Sequence, residues 1–477
     1  MSVLVVDVGT SGVRAAIVRP DATVQHVHYR EVLPSTPAPG FVEFDAAAMA
    51  AAALDVAGAA LAAGGPVEAV GIANQRSSTI VWDRATGEPV GPGVGWQDLR
   101  TVGMCLALQQ QGVRVAPNVS ATKLAFLLDM ADPDRTRELC FGTVDAWIAW
   151  TLSDRSLHVT DASNAAVTGM LRSDASGWSE PTLDALRVPV GVLPALVDSS
   201  GVVGEATALP GSPPIAGIAG DQQAALIGQA CFKPGMAKST YGTGCFLLLN
   251  TADTAVDSAN RMLTTAAYRI GGRMAYAMEG SIFVAGAAVK WLRDGLRVID
   301  SAAATAALAA RVPDDHGVFL VPAFVGLGAP YWEPNARGLI CGLTLDASPA
   351  HLARAALESV AFQTLDLTDA MARDGARRAE AIRVDGGMAA NDWFCQFLAD
   401  MLEARVQRPV ELETTALGAA FLAGLAAGVW KDLESIAATW NKAAEFAPSM
   451  PAARRAGLIA GWRQAIERTL LGAAVRP

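Results

Sequence analysis

Short strand-like runs of apolar residues alternate with longer helix-like segments along this chain. The run 214–219 predicts a buried strand, and the apolar residues Ala224, Ala225 and Ile227 predict the start of a helix. Asp221 lies between them, where open α/β sheets present catalytic groups to a crevice. It is therefore the first candidate catalytic residue, although an aspartate before a helix ordinarily serves as an N-cap.

Two glycine-cornered hairpins are predicted, one in each half of the chain. Strand-like segments 237–240 and 247–249 flank the glycines Gly242 and Gly244, and a matching hairpin around Gly-Thr-Ser-Gly at 9–12 opens the chain. Glycines let successive backbone N–H groups approach an anion. The matched pair predicts two domains that close on a polyphosphate from both sides.

A second repetition supports a duplicated plan. The helix-like segment 46–63 precedes the strand-like segment 67–75, and 351–372 precedes 379–387 in the same way. We therefore predict an α/β protein of two domains, 1–229 and 230–477.

Composition and charge narrow the classes of function. The 477 residues are 52% hydrophobic and only 18% charged, which is typical of a packed globular protein. The net charge is −10, and the charged residues form no block of one sign along the sequence. This argues against nucleic acid or an anionic membrane as a partner. Any phosphate site must therefore be local.

The cysteines, the N-terminus and the apolar segments indicate the cellular compartment and the kind of metal chemistry to expect. The six cysteines show no paired spacing of the metal or redox type. The N-terminus has no signal-peptide pattern, and the apolar windows 46–63 and 416–430 predict buried helices rather than membrane spans. We expect a cytoplasmic protein with reduced thiols.

Three further features are candidates for binding, each with a structural alternative. Arg76, at a predicted strand end, is suited to a polar substrate or to a surface acid. Trp96 is suited to the core or to a flat wall for a sugar-like carbon chain. The turn 385–391, between a strand and a helix, suits phosphate or ribose as well as a plain connection. Neither a P-loop nor a dinucleotide fingerprint is present.

Six segments together resemble a known family: 4–18, 74–82, 217–223, 240–246, 321–332 and 384–387. They look like the FGGY carbohydrate kinases, and among these most like the glycerol kinases, through nearly the whole chain. The resemblance implies an actin-like, ribonuclease-H-like ATPase fold with an interdomain catalytic cleft. It also implies ATP and Mg²⁺ as cofactors and phosphorylation of a hydroxyl on a small polyol or sugar, such as glycerol.

The resemblance also implies roles for individual residues. Asp221 would be the catalytic base and Asp7 the residue that orients Mg²⁺. The implied ATP-binding residues are Thr10, Ser11, Arg14, Gly242, Thr243, Gly244, Gly286, Gly387 and Asn391. The implied polyol-binding residues are Arg76, Ser77, Trp96, Asn118, Asp221, Gln222 and Phe246.

Two positions depart from the glycerol kinase pattern. Ser77 stands where those enzymes carry a glutamate, and Asn118 stands where they carry a tyrosine. A lost charge-assisted hydrogen bond is worth roughly 1.5 to 3 kcal/mol. Because both replacements are smaller, erythritol, threitol, erythrulose, xylulose and ribulose remain alternative substrates.

Two alternatives come from outside catalysis. The fold also serves actin-like filament proteins and chaperone ATPases, but the Gly-Asp-Gln-Gln segment at 220–223 favours a small-molecule kinase. A sugar sensor without turnover would be expected to lose Asp221 or Asp7, and both are present. The resemblance leaves a homodimer or a homotetramer open.

Overall fold

A computed structural model describes residues 1–113, 115–172, 174–314 and 316–474. The chain forms two compact units, each built from three segments. The first unit comprises Met1–Ala230, Thr265–Ala275 and Glu413–Trp440. The second unit comprises Cys231–Thr264, Tyr276–Leu412 and Asn441–Pro477.

The strands are numbered in chain order. They are β1 (Val3–Val8), β2 (Gly12–Val18), β3 (Val24–Glu31), β4 (Glu43–Phe44), β5 (Ala69–Asn74), β6 (Ile80–Asp83), β7 (Gly93–Val94), β8 (Leu139–Gly142), β9 (Val159–Asp161), β10 (Ala195–Val197), β11 (Ser200–Glu205), β12 (Pro214–Gly220), β13 (Ala237–Tyr241), β14 (Cys245–Ala252), β15 (Leu263–Ile270), β16 (Arg273–Ile282), β17 (Phe319–Val321), β18 (Leu339–Cys341), β19 (Ala381–Asp385), β20 (Arg405–Pro409) and β21 (Lys442–Phe446).

The helices follow the same convention. They are α1 (Ala46–Gly64), α2 (Val102–Gln110), α3 (Ser120–Ala131), α4 (Val144–Leu152), α5 (Ala162–Ala166), α6 (Glu180–Leu186), α7 (Asp221–Gly228), α8 (Gly286–Lys290), α9 (Ala304–Arg311), α10 (Pro349–Arg373), α11 (Asp392–Leu402), α12 (Thr414–Ala426), α13 (Leu433–Ala437) and α14 (Ala452–Ala474). Short 3₁₀ turns at Val190–Val192 and Gly387–Ala390 and a π-helical turn at Trp291–Gly295 complete the set.

The main sheet of the first unit runs in the order β3-β2-β1-β5-β12-β11. Strands β1, β5 and β12 are parallel to one another, whereas β2 pairs with β1, β3 with β2 and β11 with β12 in the antiparallel sense. Beyond β11 the sheet continues with β15, which pairs with β11 in the parallel sense. The three parallel strands are almost wholly buried and rich in Val, Ile and Ala, as expected for strands covered on both faces. Their carboxyl ends therefore share one edge of the sheet.

The sheet of the second unit has the same plan, in the order β16-β14-β13-β19-β20-β21. Strands β13, β19 and β20 are parallel, and β14, β16 and β21 are antiparallel to their neighbours. The duplication predicted from the sequence is therefore confirmed at the level of strand order and direction. A helix precedes the second parallel strand in both units: α1 precedes β5, and α10 precedes β19.

Both glycine hairpins are confirmed. β1 and β2 pair from Val3 with Val18 to Val8 with Val13, and β13 and β14 pair from Ala237 with Leu249 to Tyr241 with Cys245. The helix after Asp221 begins at Asp221 itself, three residues earlier than the apolar spacing indicated.

Helix α1 is an internal element of the first unit. It is the one helix in the described part of the chain that is long and apolar enough to cross a membrane. Met49, Ala53, Val56 and Ala60, among others, lie in the hydrophobic core beneath β1 and β2. The helix is thus stabilised by burial against the sheet, as the sequence indicated.

Helices α7 and α12 approach each other unusually closely. A Cβ on Gly418 would stand 1.8 Å from the carbonyl oxygen of Ala224, and one on Gly228 would stand 1.9 Å from that of Thr414. Only glycine permits this approach. The helix that begins with Asp221 is therefore fixed directly against the backbone of α12.

Candidate functional site

Polar residues collect at the carboxyl ends of the three parallel strands of the first unit. Asp7 is the penultimate residue of β1, Arg76 follows the end of β5, and Asp221 follows the end of β12 directly. Adjacent parallel strands present their carboxyl ends at the same edge, which is where ligands bind in open α/β sheets. The sheet thus brings together three residues that are far apart in the sequence.

Asp221 and Arg76 form an ion pair. Arg76 Nε lies 3.4 Å from Asp221 Oδ1, and the Arg76 side chain also contacts Gln223 Oε1 at 3.4 Å. The Arg76 side chain is 12% exposed and that of Asp221 is 33% exposed, so the carboxylate remains accessible to a ligand. Gly220, rather than Asp221, occupies the N-cap position of α7. The ordinary N-cap role therefore does not account for Asp221.

A buried polar network supports these two strand ends. Asn74, at the end of β5, exchanges side-chain hydrogen bonds of 2.8 and 3.0 Å with Asn164. Asp161 accepts from Asn164 and from the hydroxyl of Ser163, whose oxygen accepts from the backbone N–H of Gly220 at 2.9 Å. The network therefore ties the residues before Arg76 and Asp221 to one buried carboxyl group.

The carboxyl group of Asp7 is buried and lies near charged groups of both signs. Burial raises the pKa of the Asp7 carboxyl to about 7, Arg14 opposes that rise, and Asp221 and Glu413 add to it. A cation would relieve the repulsion among these carboxylates. The described residues contain no cluster of three or more His, Cys, Asp or Glu suited to a metal. The buried Asp7 carboxyl beside Asp221 and Glu413 fits Mg²⁺ instead, which is commonly held by one or two carboxylates together with substrate phosphates.

Arg14 is held by a partner that sequence reasoning missed. It is the cross-strand neighbour of Asp7, and its guanidinium forms an ion pair with Glu413, immediately before α12. Arg14 and Glu413 are separated by 399 positions in the sequence, so no local pattern can indicate this contact. No motif in the sequence marks Glu413.

The loop between β1 and β2 is linked to Trp96. The indole N–H of Trp96 donates to the Thr10 hydroxyl at 3.2 Å, while its backbone N–H donates to the Ser78 hydroxyl at 3.1 Å. Gln75 joins the same group, because its side chain donates to the Gly9 carbonyl and accepts from Ser78. The predicted phosphate loop and the predicted sugar wall are thus one hydrogen-bonded assembly. Ser11 is exposed at the tip of the loop.

Ser77 and Asn118, the two positions that depart from the glycerol kinase pattern, differ in accessibility. Ser77 is 7% exposed, has a left-handed backbone with φ of 61°, and donates its hydroxyl to the Val167 carbonyl at 2.9 Å. Asn118 is exposed. Gln222 is nearly buried, and its backbone N–H donates to Asp221 Oδ1 at 2.8 Å.

The glycine turn of the second unit is joined to the start of α8. The N–H groups of Gly286 and Ala287 donate to the carbonyls of Gly242 and Thr243 at 2.9 and 3.1 Å. A Cβ on Gly286 would lie 2.6 Å from the Gly242 carbonyl oxygen, and one on Gly244 would lie 2.6 Å from that of Ile282. The turn can exist in this form only without side chains at these positions. Phe246 follows on β14, opposite Thr240.

The second glycine turn of this unit follows β19. Gly386 has φ of 84°, and a Cβ there would lie 2.6 Å from the Tyr241 carbonyl oxygen. A Cβ on its neighbour Gly387 would meet nothing within 4 Å, so open space lies above that backbone. Asn391 caps α11 by accepting from the N–H of Phe394 at 3.0 Å.

Comparison with known proteins identifies the family of the chain. The model of the FGGY carbohydrate kinase N-terminal domain matches residues 2–228, and that of the C-terminal domain matches residues 237–427. The chain therefore belongs to the FGGY family of carbohydrate kinases, and the kinase activity expected from the sequence is confirmed at this level.

Several individual relatives of this chain within the family are named glycerol kinase. A glycerol kinase of Gluconobacter oxydans is 49% identical over 98% of this chain and 95% of its own length. One of Aromatoleum aromaticum is 50% identical over 98% of both chains. The crystal structure of Plasmodium falciparum glycerol kinase with ADP is similar with a TM-score of 0.92, 29% identity and 98% of each chain covered.

A more distant structure shares only the fold. The ligand-bound xylulose kinase of Lactobacillus acidophilus has a TM-score of 0.88 at 20% identity, with 99% of each chain covered. Together with the duplicated strand order, these likenesses confirm the two-domain, actin-like α/β ATPase fold expected from the sequence.

Proposed function

We propose that this chain transfers the γ-phosphoryl group of ATP to a hydroxyl of glycerol, forming glycerol 3-phosphate and ADP. The observation that carries the proposal is the accessible Asp221 carboxylate, at the end of a buried parallel strand and 3.4 Å from Arg76. Relatives named glycerol kinase, about half identical over nearly the whole chain, support glycerol as the alcohol.

Phosphoryl transfer to an alcohol needs positioning, neutralisation of charge and an acceptor for the hydroxyl proton. Asp221 accepts that proton as general base. Arg76 orients the Asp221 carboxylate and offers N–H donors to the oxygens of the alcohol. Trp96 gives a flat apolar wall for the carbon chain, and Ser77, Asn118, Gln222 and Phe246 complete the proposed alcohol site.

The nucleotide has two proposed sets of contacts. Thr10, Ser11 and Arg14 of the first unit contact phosphate oxygens, and Asp7 is the residue that would hold Mg²⁺. When bound, Mg²⁺ neutralises charge on the phosphates. In the second unit the proposed contacts are Gly242, Thr243, Gly244, Gly286, Gly387 and Asn391. Residues 1–229 thus mainly bind the alcohol, and residues 230–477 mainly bind the nucleotide.

The proposed nucleotide contacts of the second unit differ in character from those of the first. They are mostly backbone groups in turns that exclude side chains, and the space above Gly387 is open. Successive N–H groups without side chains form concavities suited to phosphate. Asn391 is an exception, because its side chain already caps α11 and donates to Thr305 at 3.2 Å.

A longer polyol or a ketose is the second candidate for the acceptor. Ser77 and Asn118 are smaller than the glutamate and tyrosine of the glycerol kinase pattern, and the Ser77 hydroxyl already donates to Val167. Smaller residues at these two positions would leave room for a chain longer than three carbons. Erythritol, threitol, erythrulose, xylulose and ribulose are the matching compounds.

The test is release of ADP from Mg-ATP over a panel of glycerol, dihydroxyacetone and those five compounds. We expect efficient turnover of glycerol, with Asp221→Asn as the matched isosteric control. Turnover of only four- or five-carbon compounds would make the acceptor a longer polyol or ketose. Equal, background-level ADP release by both proteins on every compound would refute the proposed kinase reaction.

A further inference from the structure

The first turn of α3 contacts three of the loops that form the proposed alcohol site. The Ser120 hydroxyl donates to the backbone carbonyl of Ser77 at 3.0 Å. The Lys123 ammonium donates to the backbone carbonyls of Trp96 and Asn118, each at 3.2 Å. One turn of helix thus joins the segments at Ser77 and Trp96 to the residues that lead into α3.

Lys123 is an unusual residue to find in this place. Its side chain is fully buried, whereas lysine is almost never fully buried in proteins. Asp98, the acid that acts on it electrostatically, is bonded to Arg100 through contacts of 2.9 and 2.8 Å. The hydrogen bonds of the Lys123 side chain therefore go to the two carbonyl oxygens.

Burial lowers the pKa of Lys123 to about 7, with Asp98 and Cys105 opposing the decrease and Arg100 adding to it. A neutral amine still carries two N–H donors, which match the two carbonyls. The cross-link can therefore persist in either protonation state. The burial of so polar a group implies that the loops it joins are held in one arrangement.

We propose that Lys123 is a positioning residue for the acceptor alcohol, because it ties the backbone of Trp96 to that of Asn118 and thereby sets the width of the site between them. This inference rests on the proposed function, since it assumes that Trp96 and Asn118 face the alcohol. Lys123 itself touches backbone only and acts through the two loops.

The connections of Trp96 show why its backbone position matters. Its carbonyl is held by Lys123, its N–H by Ser78 and its indole by Thr10. Without Lys123, two backbone carbonyls lose their donor, and a buried acceptor without a partner is costly. The two loops would then move so that these carbonyls can hydrogen-bond with water, and the site between the loops would widen. A wider site weakens the binding of a small alcohol more than that of a large one.

The experiment compares Lys123→Met, which keeps the length of the side chain but has no donor, with Leu128→Ala. Leu128 is fully buried on the same helix and belongs to the hydrophobic core, so its truncation loosens α3 without removing a bond to the loops. Steady-state KM and kcat are measured for glycerol, erythritol and ATP. Hydrogen–deuterium exchange is followed in the segments 94–100 and 115–119 without substrate.

For Lys123→Met we expect KM for glycerol to rise about 10- to 100-fold, while KM for ATP changes less than about twofold. The preference for glycerol over erythritol should fall, and the two loop segments should exchange faster than in the wild type. Leu128→Ala should show none of these changes. Equal changes in the two variants, or a parallel rise of both KM values, would overturn the inference.

The exchange measurement separates this inference from the proposed function. If the wild-type protein turns over no alcohol, the proposed function fails, whereas faster exchange confined to the two loops of Lys123→Met still supports the cross-link that holds those loops together. Unchanged exchange in those loops would overturn the positioning role, whatever the enzyme phosphorylates.

Discussion

The two units share one strand order, yet they place different chemistry at the same topological position. In the first unit the hairpin β1–β2 ends with the charged pair Asp7 and Arg14, whereas in the second the hairpin β13–β14 has Thr240 and Phe246 opposite each other. The plan of the sheet determines where a site can form, and the residues at the strand ends determine its chemistry.

The same contrast holds at the other parallel strands. In the first unit β5 and β12 lead into Arg76 and Asp221, which form an ion pair. In the second unit β19 leads into Gly386 and Gly387, where the backbone carries no side chains. Charged side chains suit proton transfer and the orientation of an alcohol, and a bare backbone suits phosphate.

The largest expected effect is on catalysis in the first unit. Asp221→Asn keeps the size of the side chain but removes the proton acceptor, so we expect kcat to fall by about 10² to 10⁴. The melting temperature should change little, because the carboxylate is partly exposed and does not cap α7. Steady-state kinetics and thermal unfolding test this, and an unchanged kcat would remove Asp221 from the mechanism.

The next effect compares adjacent glycines of the second unit. Gly386→Ala forces a side chain onto a left-handed backbone and against the Tyr241 carbonyl, so we expect a loss of roughly 2 to 4 kcal/mol in the free energy of unfolding. Gly387→Ala meets no atom within 4 Å and should leave the free energy of unfolding nearly unchanged.

The Gly387→Ala side chain instead enters the space proposed for the nucleotide. We expect KM for ATP to rise about tenfold, which corresponds to about 1.4 kcal/mol. Denaturant unfolding and kinetics with varied ATP separate the two variants. If Gly386→Ala were as stable as Gly387→Ala, the close backbone contact in the second unit would be wrong.

A smaller effect concerns the response of the first unit to acid. His158 packs against Trp82 and Trp150 and bonds the Phe141 carbonyl at 2.7 Å, and burial lowers the pKa of its imidazole to about 4. Between pH 6.5 and 4 the unfolded chain therefore binds more protons at this residue. His158 should lower the free energy of unfolding by up to about 3 kcal/mol across that window as the pH falls.

The contribution of His158 is isolated by His158→Gln, which can keep the hydrogen bond to Phe141 without titrating. Asp145 acts with the opposite sign, because burial raises the pKa of its carboxyl to about 7. The folded protein therefore binds the proton of Asp145 more readily than the unfolded chain, and this residue adds to the free energy of unfolding as the pH falls. The difference between the wild-type and variant stability curves is therefore the quantity to measure. Parallel curves between pH 6.5 and 4 would show that His158 does not titrate there.

The smallest effect concerns Asn391. Its side chain caps α11, so Asn391→Ala should cost about 1 kcal/mol of stability. We expect KM for ATP to change less than in Gly387→Ala, since the amide is already engaged by Phe394 and Thr305. A rise in KM for ATP larger than that of Gly387→Ala would reverse this order.

Local patterns of the sequence predicted the hairpins, the duplicated plan and the placement of Asp221 at a strand end. These features depend on the spacing of apolar residues and on glycines, which act over a few positions. The Arg14 to Glu413 pair, the left-handed backbone of Ser77 and the buried Lys123 depend on contacts between distant segments. Periodicity indicates which face of an element is buried, but it does not identify what covers that face.

The return of residues 413–440 to the first unit illustrates the same limit. Helix α12 packs against β1, β5 and β12, so a late segment of the chain forms part of the first unit. Its alanine-rich sequence predicts a buried helix but carries no information about which sheet buries it.

The division of chemistry between the two units is tested most directly by a crossed measurement on Asp221→Asn and Gly387→Ala. Calorimetry gives the Kd for Mg-ATP of each variant, and single-turnover assays with saturating glycerol and ATP give the rate of phosphoryl transfer. We expect Asp221→Asn to lose the rate of transfer but to keep the wild-type Kd. We expect Gly387→Ala to raise the Kd about tenfold but to keep most of the rate of transfer at saturation. Loss of both quantities together in either variant would contradict the division.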